Sequence, residues 1–470
     1  MIMTDSADME DLKLPVEFLM RMQAECGEEY DAFMHSLNQE RCRGLRLNPL
    51  KLDLNDAGEA LKRLGMEELA DDPVPWCTEG YYYDKDSCPG RSPFHEAGAY
   101  YIQEPSAMMT GEMLDPRPGE VICDLCAAPG GKTTHVAGKM QGKGVLVSNE
   151  IVPDRARILS GNVERMGIAN CIVTSASPDQ MAKALPSFFD KVCVDAPCSG
   201  EGMFRKNPEA VAEWSPWAVD HCAARQREIL ESAADLVRMG GVLVYSTCTF
   251  EKSENEEMIS SFINDHPEWV LEDEHRLMPH KCRGEGHFVA CMTKGVRTPS
   301  AGVAAGEDLT GKKDRLRTEV LRFLHTEAGL IEGSGMDDRI MKGILINRND
   351  HAYCLPPGIS PHNLDGLKVI RPGLELAGIE RGRYKPAHAL AMTMNEDDLH
   401  ICCNLSLDQA YAYLRGETIS MSDVDPDHGS MHENGWSLVT VNGISMGWGK
   451  ISNGILKNHY PKGLRRDLER

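Results

Sequence analysis

From Val121 onward, short apolar runs alternate with helical patterns, and this alternation constrains the fold more than any other feature of the chain. VICDL, GVLVSN, NCIVTS, FDKVCVDAP and GVLVYST read as five strands. Between them lie a helix from about Gly131 to Met140, PDRARILSGNVERMG with Pro153 in its first turn, and the long SPWAVDHCAARQREILESAADLVRMGG, expected to end at Gly240 and Gly241. SENEEMISSFINDHP reads as a helix after the fifth strand, and GHFVACMTK, from Gly286 to Lys294, as a late edge strand. Uniformly apolar strands separated by helices predict an α/β, Rossmann-like sheet, parallel and covered by helices on both faces. Ligands of such sheets bind beyond the carboxyl ends of the strands.

Three motifs fall at those ends. After the first strand comes the loop Cys126, Ala127, Ala128, Pro129, Gly130, Gly131, Lys132, whose small residues let backbone approach a ligand closely. It is neither a phosphate-cradling loop nor a GxGxxG fingerprint, and a tight turn without function is the alternative for a Gly-Gly pair alone. Glu150 ends the second strand, where a carboxylate can hold the ribose hydroxyls of a nucleoside cofactor, and Asp195 ends the fourth. Cys198 follows Asp195-Ala-Pro, and Cys248 follows Ser-Thr at the end of the fifth strand. A cysteine is more often core than nucleophile. These two lie in polar, small-residue loops, where a thiolate can add to an electron-poor ring. Lys132 and Lys206 either place positive charge near a substrate or cofactor or are solvated surface lysines. The acids from Glu254 to Glu257 read as a first helical turn favoured by the helix dipole.

The flanks differ from this core. Residues 11–100 mix an amphipathic helix, LPVEFLMRMQAECGEEYDAFMHSL, with a Pro-, Gly- and Tyr-rich stretch, and read as an α+β accessory region. The sheet domain is expected over 101–294, a Gly-, Ala- and Ser-rich linker over 295–313, and two further parts over 314–380 and 381–470. KGILINR, AYCLP, LKVIRPG, LHICCN, WSLVTVNG and ISMGWGK make the last third β-rich. No apolar run is long enough for a membrane span, and MIMTDSADMEDLK has no signal core. The 16 cysteines are therefore expected as reduced thiols in a cytoplasm. Cys123 and Cys126 have zinc-like spacing without a second pair, so Cys123 is expected in the core and no metal is expected. A net charge of −22 argues against a polyanionic partner, but it does not describe local patches. The tail from Lys450 to Arg470, with Arg41, Arg43 and Arg46, can form a basic track.

At its motifs the sequence resembles the Nol–Nop–Sun family of RNA cytosine-5 methyltransferases, in the bacterial branch that modifies 16S ribosomal RNA. YYIQEPSAM (Tyr100 to Met108), DLCAAPGGKTT, SNE, NVERMG, DAPCSGEGMFRKNPEA, VYSTCTFEKSENE and GEGHFVA carry the resemblance over roughly Leu14 to Lys294. RGRYKPAHALAM and GWGKISNGILKNHYPKGLR are similar to the PUA-like RNA-binding domain that ends this branch. The resemblance implies a class I methyltransferase sheet, S-adenosylmethionine as methyl donor, and ribosomal RNA or the small ribosomal subunit as partner. It implies that the loop from Cys126 to Lys132 binds the donor, that Glu150 holds its ribose and that Asp195 lies near the reaction centre. Cys248 is implied as the nucleophile towards the base, and Cys198 as the residue that assists release. DNA cytosine methyltransferases attack with the Pro-Cys cysteine and lack the Thr-Cys one, so Cys248 favours RNA. Near the adenine the family often has an acid; this chain reads SASPD there, which leaves the contact open between Ser177 and Asp179. The competing readings are an inactive RNA-binding or ribosome-assembly factor on the same fold, and a protein or DNA methyltransferase. Intact Cys198, Cys248, Asp195 and PGGK argue against loss of activity. Nothing in the sequence points to an obligate partner helix, so a monomer is expected.

Overall fold

The computed structural model describes residues 13–300, 315–424 and 434–468. The acidic first 12 residues, most of the expected linker over 295–313 and the last two residues of the basic tail lie outside the described residues. The helices that bear on the site are α1 (Val16–Cys26), α2 (Gly131–Lys139), α3 (Pro153–Arg165), α4 (Pro178–Ala184), α5 (Pro216–Leu236) and α6 (Glu256–Asp265). The central sheet is built from β1 (Val121–Asp124), β2 (Val145–Asn149), β3 (Cys171–Thr174), β4 (Phe189–Asp195), β5 (Val237–Thr247), β6 (Trp269–Leu277), β7 (His287–Lys294) and β8 (Val369–Arg371). Their spatial order is β8-β3-β2-β1-β4-β5-β7-β6. The five strands β3 to β5 run parallel, as the sequence pattern predicts.

Successive residues of these strands face opposite cores, which is why both positions of the period-two repeat are apolar. Val145, Val147, Val192, Val194, Leu243 and Tyr245 pack against α4, α5 and α6. Leu146, Cys171, Val173, Cys193, Val242 and Val244 pack against α2 and α3. Cys123 is fully buried in β1. Chain order reverses direction at β1, so a crevice opens at the carboxyl ends where β1 separates β2 from β4.

Several boundaries differ from the sequence reading. α5 ends at Leu236 rather than at Gly240 and Gly241, because Val237 already pairs with Phe189 of β4. GHFVACMTK is not an edge: β7 lies between β5 and β6, antiparallel to both. The true edge, β6, carries EDEHR on mostly exposed positions and so shows no apolar run. LKVIRPG, expected among the accessory strands, contributes β8, which pairs antiparallel with β3 and covers an otherwise open sheet edge. The N-terminal amphipathic stretch is two helices, α1 and Tyr30–Leu37, parted at Gly27, whose φ is 52°.

Three smaller sheets flank the central one. Leu45, Leu47 and Tyr100 of the N-terminal sheet share one core with Tyr413, Ile444, Met446 and Tyr460 from the far end of the chain. α1 buries Phe18 and Met22 against Phe204, Trp214 and Phe250, residues that follow the two motif cysteines.

Arg46 corrects the expected basic track. It is fully buried, its Nε donating to Gln103 Oε1 (3.1 Å) and its Nη2 to Thr134 Oγ1 (2.9 Å) and the Gly131 carbonyl (3.3 Å). It therefore anchors the start of α2 and leaves Arg41 and Arg43 as the partly exposed members of that stretch. Arg46→Met strips the buried Gln103 Oε1 of its guanidinium donor, while Thr134 Oγ1 and the Gly131 carbonyl keep their mutual hydrogen bond (3.1 Å), and it is expected to lower unfolding free energy by roughly 1–3 kcal/mol. Arg43→Met is expected to change it by under about 0.5 kcal/mol. Urea midpoints of both variants check this, and equal shifts would reject the structural role of Arg46.

Candidate active site

β4 and β5 are parallel neighbours with Asp195 opposite Ser246. Cys198 lies three residues past the first and Cys248 two past the second, so the register alone brings both to one end of the sheet. Their Sγ atoms are 3.4 Å apart, and both are free thiols. The loops are joined further by Gly202 N–H donating to the Cys248 carbonyl (2.8 Å) and by a 2.7 Å hydrogen bond between Ser199 Oγ and Thr249 Oγ1. A Cβ at Gly202 would lie 2.8 Å from the Gly286 carbonyl and 2.9 Å from that of Cys248, so only glycine permits this approach.

Two buried carboxylates hold these loops from behind. Glu201 accepts from Phe250 N–H (3.0 Å) and Trp214 Nε1 (2.8 Å), and it pairs with Arg21 of α1 at 2.6 Å. Glu254 Oε2 accepts from Ser199 N–H (3.0 Å) and Gln226 Nε2 (2.7 Å), and the same Gln226 nitrogen donates to the Pro197 carbonyl (3.0 Å). Cys198 is thus clamped on both sides. The reading of Glu254 to Glu257 as a first helical turn favoured by the helix dipole holds for Glu256 and Glu257, the first two residues of α6. Glu254 instead is fully buried, its Oε1 lacks a hydrogen-bond partner, and burial pushes its carboxyl up to about 7. No periodicity marks Glu254, Gln226 or Glu201 as site residues in the sequence.

The charges around the sulfurs are specific. Lys132 is buried rather than solvated, with Nζ 2.8 Å from Asp195 Oδ2. Burial opposes its charge, but the Asp195 carboxylate and the neighbouring Cys248 sulfur hold its ammonium above the usual lysine range. Asp195 Oδ1 also accepts from Ser246 Oγ at 3.2 Å. The hydrogen bond to Cys248, with burial, drives the Cys198 thiol well above the ordinary cysteine range. Cys198 therefore keeps its proton while Cys248 lies beside a fixed cation. Beneath the loop, Asp124 accepts from Thr133 Oγ1 (2.6 Å), and burial raises its carboxyl to about 6.

A cavity of about 800 Å³ runs along the strand ends from Glu150, Ser177 and Asp179 to Asp195, Cys198 and Cys248. Of the first loop, Cys126 and Ala128 line it, whereas Ala127, Pro129, Gly130, Gly131 and Lys132 do not, and Pro129 is exposed. Gly130 has φ 120°, a conformation that requires glycine. Glu150 is buried, with Oε1 accepting from Val152 N–H (2.9 Å) and Oε2 3.3 Å from Arg155. Ser177 caps α4 and Asp179 pairs with Lys183 at 2.7 Å; both line the cavity. Asn149 and a face of α5 comprising Arg225, Glu228, Ile229 and Ser232 complete it, residues that the sequence motifs did not reveal. Lys206 is exposed and borders a separate, smaller pocket with Arg41, Arg43 and Tyr83. Cys77, Glu79, Glu112 and His135 converge outside the cavity, where Lys139 pairs with both carboxylates.

The chain matches, region by region, the model of 16S rRNA methyltransferase RsmB/F over residues 111–293 and that of the N-terminal domain of 16S rRNA methyltransferase RsmF over 14–105. Residues 336–394 match the first C-terminal domain of RsmF, and 402–466 its PUA domain. It is similar to ribosomal RNA small subunit methyltransferase F of Aliivibrio salmonicida, at 30% identity over 97% of this chain and 99% of the relative. The protein of the same name from Cronobacter sakazakii is 31% identical over 97% of each. Among solved structures, a methyltransferase homologue from Pyrococcus horikoshii is 29% identical, covering 60% of this chain and 96% of that one with a TM-score of 0.54.

Glu254 carries a pH dependence. Its folded pKa of about 7 lies above its ordinary 4.5, so its contribution to stability is full below the lower value and lost as pH rises through the upper one. Between about pH 5 and about pH 8 the wild type is expected to lose more thermal stability than Glu254→Gln. Equal losses in both proteins, measured as melting midpoints, would exclude a protonated buried Glu254.

Proposed function

The chain belongs to the family of ribosomal RNA small subunit methyltransferase F, and from that membership we propose that it moves a methyl group from S-adenosylmethionine to carbon 5 of a cytosine in 16S ribosomal RNA, through a covalent Cys248–cytosine adduct. The observation that carries this reading is the pair of sulfurs 3.4 Å apart at one end of the cavity, beside the Lys132–Asp195 ion pair.

The cavity suits the donor. Glu150 offers a carboxylate to ribose hydroxyls, Ala128, Ile151, Pro178 and Ile229 offer apolar walls to a flat base, and Asp195 stands between that end and the cysteines. Either Ser177 or Asp179 meets the adenine. When bound, S-adenosylmethionine supplies an electrophilic methyl on a sulfonium.

The protein's part is to make carbon 5 nucleophilic. Cytosine is too electron-poor there to accept a methyl group unaided. The Cys248 thiolate bonds to carbon 6, and the electron pair of the 5,6 double bond moves to carbon 5, which then forms the new carbon–methyl bond. The Lys132 ammonium, held by Asp195, supplies the positive charge that steadies the negative charge developing on the ring. Cys198 holds its proton chiefly because it bonds to Cys248. Once the Cys248 sulfur is bonded to carbon that restraint is gone; Cys198 gives its proton to solvent, and the resulting thiolate takes the carbon-5 proton. The electron pair left behind re-forms the double bond and expels the Cys248 thiolate.

The N-terminal region, 11–100, and the PUA-type end of the chain, 381–470, are assigned to RNA binding, and 314–380 to an intermediate accessory domain. Arg466 pairs with Glu96 (3.4 Å) and Lys450 lies over the Trp436 ring (5.3 Å), so part of the tail's positive charge is held at the surface by its own chain. No helix among the described residues is long and apolar enough to cross a membrane.

Transfer of labelled methyl to transcribed 16S ribosomal RNA tests the reading. Cys248→Ala is expected to lose activity by roughly 10³-fold or more. Cys198→Ala is expected to accumulate an RNA–protein adduct that survives denaturing electrophoresis. An adduct formed by Cys248→Ala and not by Cys198→Ala would reverse the two roles.

A further inference from the structure

The face of α5 that lines the cavity does not stop at the cavity's rim. Arg225, Glu228, Ile229 and Ser232 lie within one arc of the helix, at about 100° per residue, and the same arc continues towards the N-terminus through His221 and Trp217. Trp217 is 72% exposed, and its ring lies parallel to that of His221, with centroids 5.1 Å apart and planes 11° apart. This aromatic pair is not a loose surface feature. Trp214, one turn earlier, is buried against Phe18 with its Nε1 on Glu201, and Ser215 caps the helix by accepting from Ala218 N–H. The first turn of α5 is therefore pinned to the same carboxylate that holds the Phe250 backbone behind Cys248.

Direction along the helix follows from its contacts. The middle of α5 reaches the cysteine loop through Gln226 and Pro197, and the far half lines the cavity with Ile229 and Ser232 beside Ser177 and Pro178. Trp217 thus lies on the side of the cysteines away from the proposed nucleoside end. It is eight residues, or about 12 Å along the axis, from Arg225. Trp217 does not line the cavity, so a base stacked on it is not the base that faces Cys248.

We propose that Trp217, backed by His221, is a stacking platform for an unpaired nucleobase of the RNA substrate flanking the target cytosine. The inference rests on the RNA methyltransferase reading above and adds a specificity surface to it. Its physical sense lies in the chain's charge. At −22 overall, this protein gains less from phosphate contacts than a basic protein would, and aromatic stacking holds single-stranded RNA without that charge. Because stacking releases no counterions, its contribution is also insensitive to salt.

Steady-state methylation of transcribed 16S ribosomal RNA tests this. Trp217→Ala is expected to raise KM for RNA about tenfold, with kcat and the Kd for S-adenosylmethionine unchanged. Trp217→Phe should restore most of the loss, and Trp217→Leu, apolar without a stacking face, should not. The Trp217→Ala defect should keep its size between about 50 and about 200 mM salt, while wild-type affinity itself falls. Wild-type KM in Trp217→Ala, or rescue by leucine equal to that by phenylalanine, overturns the platform. So does a defect confined to assembled subunits, which would assign the exposed ring to a ribosomal protein. Failure of the wild type to methylate RNA at all would instead remove the reading on which the inference rests.

Discussion

The parallel pairing of β4 with β5 is the constraint on which the site depends. Asp195 and Ser246 face one another across that pair, and every reactive group beyond them inherits its position from the register. Fifty residues separate Cys198 from Cys248, yet the sulfurs come within 3.4 Å because two adjacent strands end at the same level. A slip of one residue would turn the whole of β5 over, exchanging the core faces of Leu243 and Val244 and parting the sulfurs. Register is secured by full burial of both faces, so the same apolar packing that stabilises the sheet also aims its chemistry.

Burial then gives the site its electrostatic character. Lys132, Asp195, Glu201 and Glu254 lie at or behind the loops, and each is matched differently. Lys132 finds a carboxylate and stays charged. Glu201 accepts from a backbone amide and an indole and faces Arg21. Glu254 has only amide donors for one oxygen and none for the other, so burial raises its proton affinity. Carboxylates held this way act as rigid struts for the cysteine loops, because an unpaired buried acceptor is costly and each strut that moves creates one. α1 belongs to this arrangement too: Arg21 and the Phe18 cluster draw the N-terminal region onto the loops, so the accessory region supports the site mechanically.

Much of this was legible in the residue pattern, and the reasons for the misses are specific. The five parallel strands announced themselves because burial on both faces leaves no polar positions. Strand β6 shows no apolar run, since an exposed edge carries charge, and the sheet that β8 joins cannot be read from its residues because strand propensity says nothing about the partner. Arg46 looked like a surface cation beside Arg41 and Arg43; the three acceptors that bury it come from residues 57 to 88 positions away. Glu254 looked like a helix-capping acid because its true environment, Gln226 and Ser199, is assembled only when α5 and the Cys198 loop meet. Trp217 carried no signal at all, since exposure is a property of the packed molecule.

The sequence alone determined the strand–helix alternation, the residue types at each strand end and the family resemblance, because those depend on local periodicity and on short ordered motifs. Tertiary structure alone decided which groups face the cavity, which stand behind it and which titrate near neutrality. Two residues can be neighbours in the chain and differ completely in solvent access, as Glu254 and Glu257 do; proton affinity and contact follow the surroundings in space, and those exist only once the elements have packed.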